Sequence, residues 1–588
     1  MAGLAGVVAP ISARLAKVLV TAFVVVSSVF VGSEALRVWV AGSARVLGAL
    51  GLGSLLNSYM VLDALSAPFA LLLSTVFAAS TLFAALYTRL DARLSEERFW
   101  LWFPAVYPAS LLLLLADNMI VMTLLLDLTT LFVVLTAVSY AERRVRRAAI
   151  TYVVFVGAAS TGVVAGYIAL GASAGGLFRL SEIASRYSGG PVEAAALTIV
   201  ALGFVVKAGT SPFHYWLPRL HGEAPPPLSA VLSGFSTSIG VYGIARLLQA
   251  IPTPSVLPLV LLVLGGAGVV YGSLYAATCL DTKRLAAYST VASMSYALMT
   301  MGTAVHLSHI GEEIAAALAF SAALIYSVGH GLAKAALFMA LGVAALLRGR
   351  SVEGLKGLLC LSPLLGVLIM LSSLQLAGLP PSAIYISKTL MSTVGLSSSE
   401  LLYDFSMGGL ATVLSAVYVL RLVARVIEAP GVGTTDSPRG LALAAVPALL
   451  LVATSALLHT APNLAIALVR GASRGMLGVD LSGAVSRGLL LSVVMSWRYG
   501  VGERLLVQVV APLLVPLLVL VSLTIRGALE EIAHLLRRLH GVEEVGRRII
   551  AFLDLSYLAL EDANFRDRIA VLISLAVLGM LVLLQLVG

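Results

Sequence analysis

Charge and cysteine are both scarce in this 588-residue chain. Charged residues make up 11% of it, against roughly 25% in soluble domains, while 60% of its residues are apolar. This balance excludes a soluble enzyme, a nucleic-acid-binding protein and a disordered chain. The two cysteines, Cys279 and Cys360, lie far apart in the sequence, so neither a disulfide framework nor a CxxC metal site is expected.

Strand-like alternation is also missing, because the apolar residues form continuous runs about 20 residues long, the length of a membrane-spanning helix. We therefore predict an all-α polytopic membrane protein with about 15–16 transmembrane helices. The stretch 36–57 is an ambiguous candidate for one of them. The other predicted spans lie near 15–35, 59–88, 101–116, 119–140, 149–170, 193–215, 228–250, 256–278, 284–304, 312–346, 359–395, 405–427, 440–460, 506–525 and 568–588.

Basic residues indicate the orientation of these spans. The formal net charge is +9, and clusters of Lys and Arg fall on every second loop, as at Arg143–Arg147 and Arg348–Lys356. The intervening loops near 306–313 and 397–404 contain no Lys or Arg. By the positive-inside rule, the basic loops face the cytoplasm, with the chain in the plasma membrane of the cell. The N-terminus is then cytoplasmic only if 36–57 does not span the bilayer.

Five ionisable residues lie inside predicted spans, where each charge costs about 2.5–3.5 kcal/mol to insert. They are Asp127, Lys207, His330, Lys334 and Lys388. Only six of the 38 basic residues are lysines, yet three of those six lie within the membrane. Arginine stays protonated inside proteins, whereas a desolvated lysine can release its proton near neutral pH. The choice of lysine therefore favours a proton carrier over a fixed cation.

A structural role is the alternative, in which the lysines neutralise acids and hold the helices together. One intramembrane acid cannot pair with three lysines, which weakens that interpretation. His330 and Lys334 also lie four residues apart, on one face of a helix, as neighbouring groups of a relay would. For His330 alone, a hydrogen-bonded core histidine is an equal alternative.

Proline-rich segments interrupt two of the long apolar runs. One is SPFHYWLP (211–218) followed by APPP (224–227), and the other is GLPP (378–381). Broken helices are tolerated at membrane depth where they line a cavity, and one in each half is the pattern of an inverted-repeat transporter. A plain proline kink is the alternative for each. The residues of these break motifs are Pro212, His214, Pro218, His221, Pro225, Pro380 and Pro381.

The motifs around these residues resemble those of one membrane protein family. VKAGTSPFHYWLPRLHGEAPPPLSAVLSG (206–234) and GVYGIARL (240–247) are similar to the signature of the antiporter-like subunits of respiratory complex I, Mrp cation/proton antiporters and membrane-bound hydrogenases. DTKRLAAYSTVASMSYALMTMG (281–302) and HGLAKAALFMALG (330–342), followed by GLPPSAIYISK (378–388), resemble its later motifs in the same order. The resemblance covers about 59–460.

The resemblance also implies which residues carry protons. Asp127 begins the segment DLTTLFVVLTAVSYAERRVRRAAITYVVF, which resembles the one with the family's essential acid. Lys207 corresponds to the lysine that pairs with this acid. His330 and Lys334 correspond to the central pair, and Lys388 corresponds to the terminal lysine of the second half-channel.

Two departures from the family pattern are present. Most relatives have glutamate at Asp127, and many have a basic residue that links the two halves at Ser238. Lateral proton transfer would then need a water-mediated link, for which hydroxyls of the span 228–250 are candidates. Close helix packing by small residues is the alternative. The candidate hydroxyls belong to Ser233, Ser236, Thr237 and Ser238.

The spans and the resemblance together divide the chain into five regions. The residues of 526–588 include apolar positions at helical spacing, which predict an amphipathic lateral helix, followed by a final anchor helix. The five regions are 1–100 (N-terminal transmembrane helices), 101–250 (first antiporter-like repeat), 256–430 (second antiporter-like repeat), 440–525 (C-terminal transmembrane helices) and 526–588 (lateral and anchor helices).

These features predict a subunit that translocates protons, with or without sodium coupling, in a redox-driven complex like complex I or a hydrogenase. The resemblance implies no flavin, quinone or metal site, and hence no cofactor and no redox chemistry, in this chain itself. The expected partners are other antiporter-like and small membrane subunits, the lipid bilayer and, indirectly, a peripheral redox arm. The alternatives are an Mrp-type sodium/proton antiporter without a redox partner and a structural membrane subunit that does not pump.

Overall fold

The computed structural model describes residues 13–51, 56–397, 401–429 and 443–460, most of which lie in helices. Ten helical segments in these ranges are long and apolar enough to cross a membrane. The prediction of a helical polytopic membrane protein is therefore confirmed, with one small exception near the N-terminus. The predicted C-terminal spans beyond 460, the lateral helix and the anchor helix lie outside the described residues.

The exception is a β-hairpin in the ambiguous stretch 36–57. Helix α1 (Ala13–Ala41) is followed by Gly42, whose positive φ of 62° favours a residue without Cβ. Strands β1 (Arg45–Leu50) and β2 (Ser58–Leu62) then pair antiparallel. The stretch 36–57 therefore contains the end of a helix and the first strand of a hairpin instead of a further span.

The remaining helices follow the predicted spans closely. Those of the first part are α2 (Ser66–Tyr87), α3 (Glu96–Trp102), α4 (Val106–Leu115), α5 (Met119–Ala137), α6 (Arg143–Ser173), α7 (Leu180–Arg186), α8 (Pro191–Ala208), α9 (Trp216–Glu223), α10 (Pro226–Val231) and α11 (Ser238–Ala250). Those of the second part are α12 (Val256–Thr278), α13 (Thr282–His309), α14 (Glu313–Arg348), α15 (Leu358–Leu361), α16 (Pro363–Ala377), α17 (Ala383–Ser397), α18 (Leu401–Ile427) and α19 (Pro447–Thr460).

Glycine ends the helix at both proline-rich breaks. Helix α8 ends at Gly209, with φ 77°, two residues after Lys207. Helix α16 ends at Gly378, with φ 80°, and Lys388 follows in α17. Because the left-handed conformation strains residues that have a Cβ, glycine is the natural stop at these points. Each break thus lies beside one of the intramembrane lysines.

Helix α14 forms the centre of the bundle. Every residue from Ala315 to Ala344 is buried, as expected for a helix that is apolar on all sides. It crosses the π-helical turn Leu232–Ser236, which joins α10 to α11, at a contact between two glycines. A Cβ on Gly331 would lie 2.1 Å from the carbonyl oxygen of Gly234. The two backbones therefore approach more closely than any side chain would permit.

The basic loops meet on one face of the molecule. Glu223 binds three arginines at three different helix ends: Arg144 at the start of α6 at 3.4 Å, Arg284 at the start of α13 at 3.1 Å and Arg350 just after α14 at 3.3 Å. Lys17, near the start of α1, pairs with Glu96 at the start of α3, beside the basic residues Arg93 and Arg98. The beginning of α1 thus lies on the basic face, as the positive-inside rule predicts when 36–57 does not span.

Candidate functional site

Lys207 lies in the last turn of α8 and is fully buried. Its Nζ donates hydrogen bonds to the hydroxyls of Tyr152 and Ser236, at 2.9 and 3.0 Å. Both acceptors are neutral, and no ion pair of the described residues includes Lys207. Within the described residues, the buried ammonium group of Lys207 is therefore held by two neutral hydroxyl oxygens.

Asp127, the expected acid partner of Lys207, faces outward from α5. Its side chain is exposed and belongs to an apolar surface stripe with Leu124, Leu128 and Leu131. It lies within electrostatic range of Lys207, but the two groups form no direct ion pair. The structure therefore brings the acid and the lysine into one neighbourhood without joining them.

His330 and Lys334 lie one turn apart in the buried centre of α14. Lys334 Nζ donates a hydrogen bond of 2.8 Å to the carbonyl of Ala286 and another to the hydroxyl of Ser289, both on α13. Neither ring nitrogen of His330 has a hydrogen-bond partner within the described residues. Buried polar groups are nearly always paired, so the His330 ring is an unusual feature of this buried helix.

His221 is a second buried histidine whose importance the sequence did not reveal. It lies in α9, is fully buried, and both of its ring nitrogens are without partners in the described part of the chain. It is within electrostatic range of Lys207, Lys283 and Lys334. In the sequence it looked like part of a proline-rich break, and only the tertiary structure places it between the two halves.

Lys388 lies in α17 and reaches back across the second break. Its Nζ donates a 2.7 Å hydrogen bond to the carbonyl of Ala377, at the end of α16. Gln375 donates to the carbonyl of Pro381, at 3.2 Å, so backbone oxygens freed by the break are bound by side chains. His459 of α19 also contacts the break, through the carbonyl of Ser382. The lysine thus sits at the interruption of the helix, where carbonyl oxygens face the interior.

The residues of the proline motifs lie where the chain changes direction. His214 is buried in a 3₁₀ turn against Tyr271, with ring centroids 4.4 Å apart. Pro218 lies within α9 and Pro225 immediately precedes α10. The peptide bonds before Pro212 and Pro381 are cis, and Pro380 is exposed at the second break. These residues therefore shape the two breaks of the helices.

The four candidate hydroxyls divide into two kinds. Ser236 binds Lys207, and Ser233 binds Thr290 of α13 at 2.8 Å. Thr237 donates to the backbone carbonyl of Ser233 at 3.2 Å. Ser238 is fully buried, and its hydroxyl has no hydrogen-bond partner among the described residues. The structure therefore joins Ser236 to Lys207 and Ser233 to Thr290, whereas Ser238 forms no hydrogen bond within the described residues.

Lys283 is a buried cation at the basic face that the sequence analysis did not include in the site. It donates a hydrogen bond to the carbonyl of Ala224, between α9 and α10. It also lines a small polar pocket together with Glu142, Glu223 and Arg350. In the ranges the structure describes, no group of His, Cys, Asp and Glu could hold a metal ion.

Comparisons with known proteins agree with this architecture. The transmembrane family described as NADH:quinone oxidoreductase/Mrp antiporter matches residues 116–415. An uncharacterized protein of Mycobacterium tuberculosis is 35% identical over 270 residues, 45% of this chain and 41% of the relative. Hydrogenase-4 component B of Escherichia coli is 26% identical over 386 residues, 64% of this chain and 57% of the relative. The matches thus span about half the length of these relatives.

Among solved structures, the Mrp complex from Dietzia sp. contains a similar chain. The TM-score is 0.68 at 20% sequence identity, and the alignment covers 82% of this chain and 97% of the other. At this level of identity the likeness concerns the fold. The family match includes all five of the intramembrane residues Asp127, Lys207, His330, Lys334 and Lys388. This integral, multi-pass membrane protein therefore belongs to the NADH:quinone oxidoreductase/Mrp antiporter transmembrane family.

Proposed function

We propose that this chain is the proton-translocating subunit of a redox-driven membrane complex, with Asp127, Lys207, His330, Lys334 and Lys388 as its relay. One observation carries the proposal. Lys207 and Lys334 are fully buried, and their ammonium groups bind hydroxyls and a backbone carbonyl. A permanently buried cation normally requires a paired carboxylate, whereas a group that gains and loses a proton does not.

The path of the proton follows from the order of these groups in the fold. A proton from the basic face reaches Lys207, whose charge is favoured by the nearby carboxylate of Asp127. Like charges in the interior repel strongly, so charging one lysine disfavours charge on the next. The proton then moves through Lys334, beside His330, to Lys388 at the second break. It leaves there toward the opposite face.

The outward position of Asp127 supports a neighbouring membrane subunit. An intramembrane carboxylate usually faces the interior of a bundle, yet this one lies in an exposed apolar stripe. A partner that covers the stripe would also control how strongly Asp127 holds the charge of Lys207. Energy from a peripheral redox arm would reach this chain through such contacts, which requires no cofactor in the chain itself. The plasma membrane is the proposed location.

An Mrp-type sodium/proton antiporter is the second candidate, and the solved Mrp complex of similar fold favours it. Sodium ions bind oxygen ligands, and Asp127 supplies one carboxylate within the relay. A third role, a structural subunit that does not pump, would leave the orphaned His221 and His330 rings without a purpose.

Purification of the chain with its native partners, followed by reconstitution into proteoliposomes, tests the proposal. Proton uptake is measured after addition of NADH or hydrogen as electron donor, and separately after a sodium gradient is imposed. Uptake that depends on the donor and persists without sodium is the expected result. Uptake driven by the sodium gradient alone would identify the antiporter function instead. If neither condition moves protons, the proposed function is wrong.

A further inference from the structure

We propose that Thr290 is a proton-relay residue, and that Ser236, Ser233 and Thr290 together join the two halves of the lysine path. The inference rests on the proposed function, because it concerns the route between Lys207 and Lys334. Nothing in the sequence motifs distinguishes Thr290 from the other hydroxyl residues of α13. Its importance comes from a series of hydrogen bonds that only the packed helices create.

The series begins at Lys207. Its Nζ donates to Ser236 Oγ at 3.0 Å, and Ser236 belongs to the same π-helical turn as Ser233. No direct hydrogen bond between Ser236 and Ser233 is present in the described structure, so the proposal places one bridging water between these two hydroxyls of the same turn. Both serines are buried, so such a water would be isolated from the aqueous phase. The hydroxyl pair therefore carries the path from α8 to the turn between α10 and α11.

The second step crosses between helices. Ser233 Oγ and Thr290 Oγ1 lie 2.8 Å apart, and either of them can be the donor. A hydroxyl has one proton to donate and two lone pairs, so it can accept a proton on one side while releasing one on the other. Thr290 is fully buried in α13. This contact is a direct polar link between the turn that contains Ser236 and helix α13, whose Ala286 carbonyl and Ser289 hydroxyl bind Lys334.

The third step centres on the carbonyl oxygen of Ala286. Thr290 Oγ1 donates to it at 3.0 Å, Lys334 Nζ at 2.8 Å and Ser289 Oγ at 3.0 Å. Three side-chain donors compete for two lone pairs, so one of them can always turn away. The proposal requires the Thr290 hydroxyl to leave the Ala286 oxygen and turn to the neutral amine of Lys334, which is bound to the same oxygen, for the last transfer. Thr290 and Lys334 thus share one acceptor atom.

The π-helical turn explains why the series exists. The backbone N–H of Thr237 donates to the carbonyl of Leu232, five residues earlier, which widens the turn and changes the direction of Ser233. The contact between Gly234 and Gly331 then draws this turn close to α14. Sequence position 238, where relatives have a linking basic residue, lies outside the series. The hydroxyls would replace that residue without adding a charge.

The proton balance of the transfer is simple. The ammonium group of Lys207 gives one proton to the Ser236 oxygen as Ser236 gives its own to the bridging water. The shift continues through Ser233 and Thr290, and neutral Lys334 takes up the last proton. Each hydroxyl ends neutral, and one positive charge has moved from Lys207 to Lys334. No oxidant or other reactant takes part.

Thr290→Val tests the proposal, because valine keeps the shape of threonine and removes the hydroxyl. The assay is driven proton uptake by the intact complex in proteoliposomes, with assembly checked on native gels. We expect uptake to fall about tenfold or more, as a rise of about 1.4 kcal/mol in the transfer barrier would produce. Thr290→Ser should restore most of it, which a purely structural role of the methyl group would not.

Thr300→Val is the matched control. Thr300 is buried in the same helix and donates at 2.9 Å to the carbonyl four residues earlier, as Thr290 does. The complex with Thr300→Val should therefore take up protons at the wild-type rate. Normal pumping by Thr290→Val, or equal losses in both valine variants, would overturn the proposal. Should Thr290→Val fail to assemble, Ser233→Ala removes the partner hydroxyl, and normal pumping by that variant would overturn it as well. If Lys207→Ala also pumps normally, the proposed relay itself is wrong. If Lys207→Ala does not pump but the Thr290 variants do, only the Thr290 proposal is wrong.

Discussion

Two kinds of buried cation in this molecule differ in their partners. Arg246, near one end of α11, forms a two-pronged ion pair with Asp63, and the two side chains are only 14% and 24% exposed. Lys207 and Lys334 are buried more deeply, yet they bind only neutral oxygens. The arginine is always charged, so it is compensated by an acid. The lysines are compensated by hydroxyls and a carbonyl, which serve the neutral amine equally well.

The comparison also distinguishes the surface from the interior. At the basic face, Glu223 is shared among three arginines, which ties together loops from both halves of the chain. Such a cluster holds the helices in register, because both the acid and its partners stay charged. Lys207 and Lys334 would hold helices in register less well, because their partners are neutral oxygens. The proposed function assigns a structural role to arginine with carboxylate and proton transfer to lysine with hydroxyl.

The largest effect that would test this distinction is expected at Lys207. Lys207→Arg should abolish pumping as completely as Lys207→Ala, a fall of about a hundredfold or more, because a guanidinium does not release its proton. Driven proton uptake by the reconstituted complex is the measurement. Lys356→Arg is the control, since Lys356 pairs with Glu428 at 3.0 Å on the basic face and needs only a fixed charge. Wild-type pumping by Lys207→Arg would show that Lys207 needs only a fixed charge, as the arginines that pair with carboxylates do.

A smaller effect, on stability, is expected at Asp63. Burial alone would raise the pKa of Asp63, but the charge of Arg246 and hydrogen bonds from Arg246 and Ser66 lower it from 3.8 to about 2. Because the folded pKa is the lower one, the carboxylate stabilises the fold fully above about pH 4, by roughly 2 kcal/mol. That contribution is lost as the pH falls toward 2.

Asp63→Asn should therefore lower the thermal stability of the purified protein at pH 7 and leave the rate of pumping per assembled complex unchanged. The difference between the variant and the wild type should shrink between pH 4 and pH 2, where melting in detergent can compare them. A variant that is fully stable but does not pump would show that Asp63 belongs to the relay, contrary to the comparison.

The smallest effect is expected at Ser238. Its hydroxyl makes no hydrogen bond within the described residues and lies outside the series from Lys207 to Lys334. Ser238→Ala should leave driven proton uptake within about twofold of the wild type, because no paired hydrogen bond is lost. Loss of pumping in this variant, with normal assembly, would show that Ser238 belongs to the proton path, at the position where the family resemblance implies a residue that links the two halves.

Much of the fold was predictable from hydrophobic run length alone. The spans near 119–140 and 256–278 correspond to α5 and α12, because a membrane helix needs about 20 apolar residues and little else. The hairpin at β1 and β2 was not predictable, since the glycine-containing stretch 36–57 is apolar enough for either outcome. Local sequence also indicated both breaks, because proline and glycine act on the backbone at their own positions.

The composition of the site was predictable in part. Lysines inside apolar spans are costly, so their presence alone indicates a function. The outward position of Asp127 was not predictable, because a span that is apolar on every side does not show which side meets other helices. The deep burial of His221 was not predictable for a related reason, because the sequence around a histidine in a proline-rich segment does not show how far the side chain lies from the surface.

The sequence by itself determined the membrane architecture, the breaks and the candidates for the proposed relay, because these depend on hydrophobicity, backbone chemistry and the acid–base properties of single residues. The tertiary structure alone decided which groups touch. The glycine contact between α14 and the π-helical turn, and the hydrogen bond from Ser233 to Thr290, join residues 57 or more positions apart. Such pairings arise from helix packing, and side-chain chemistry read along the chain does not specify them.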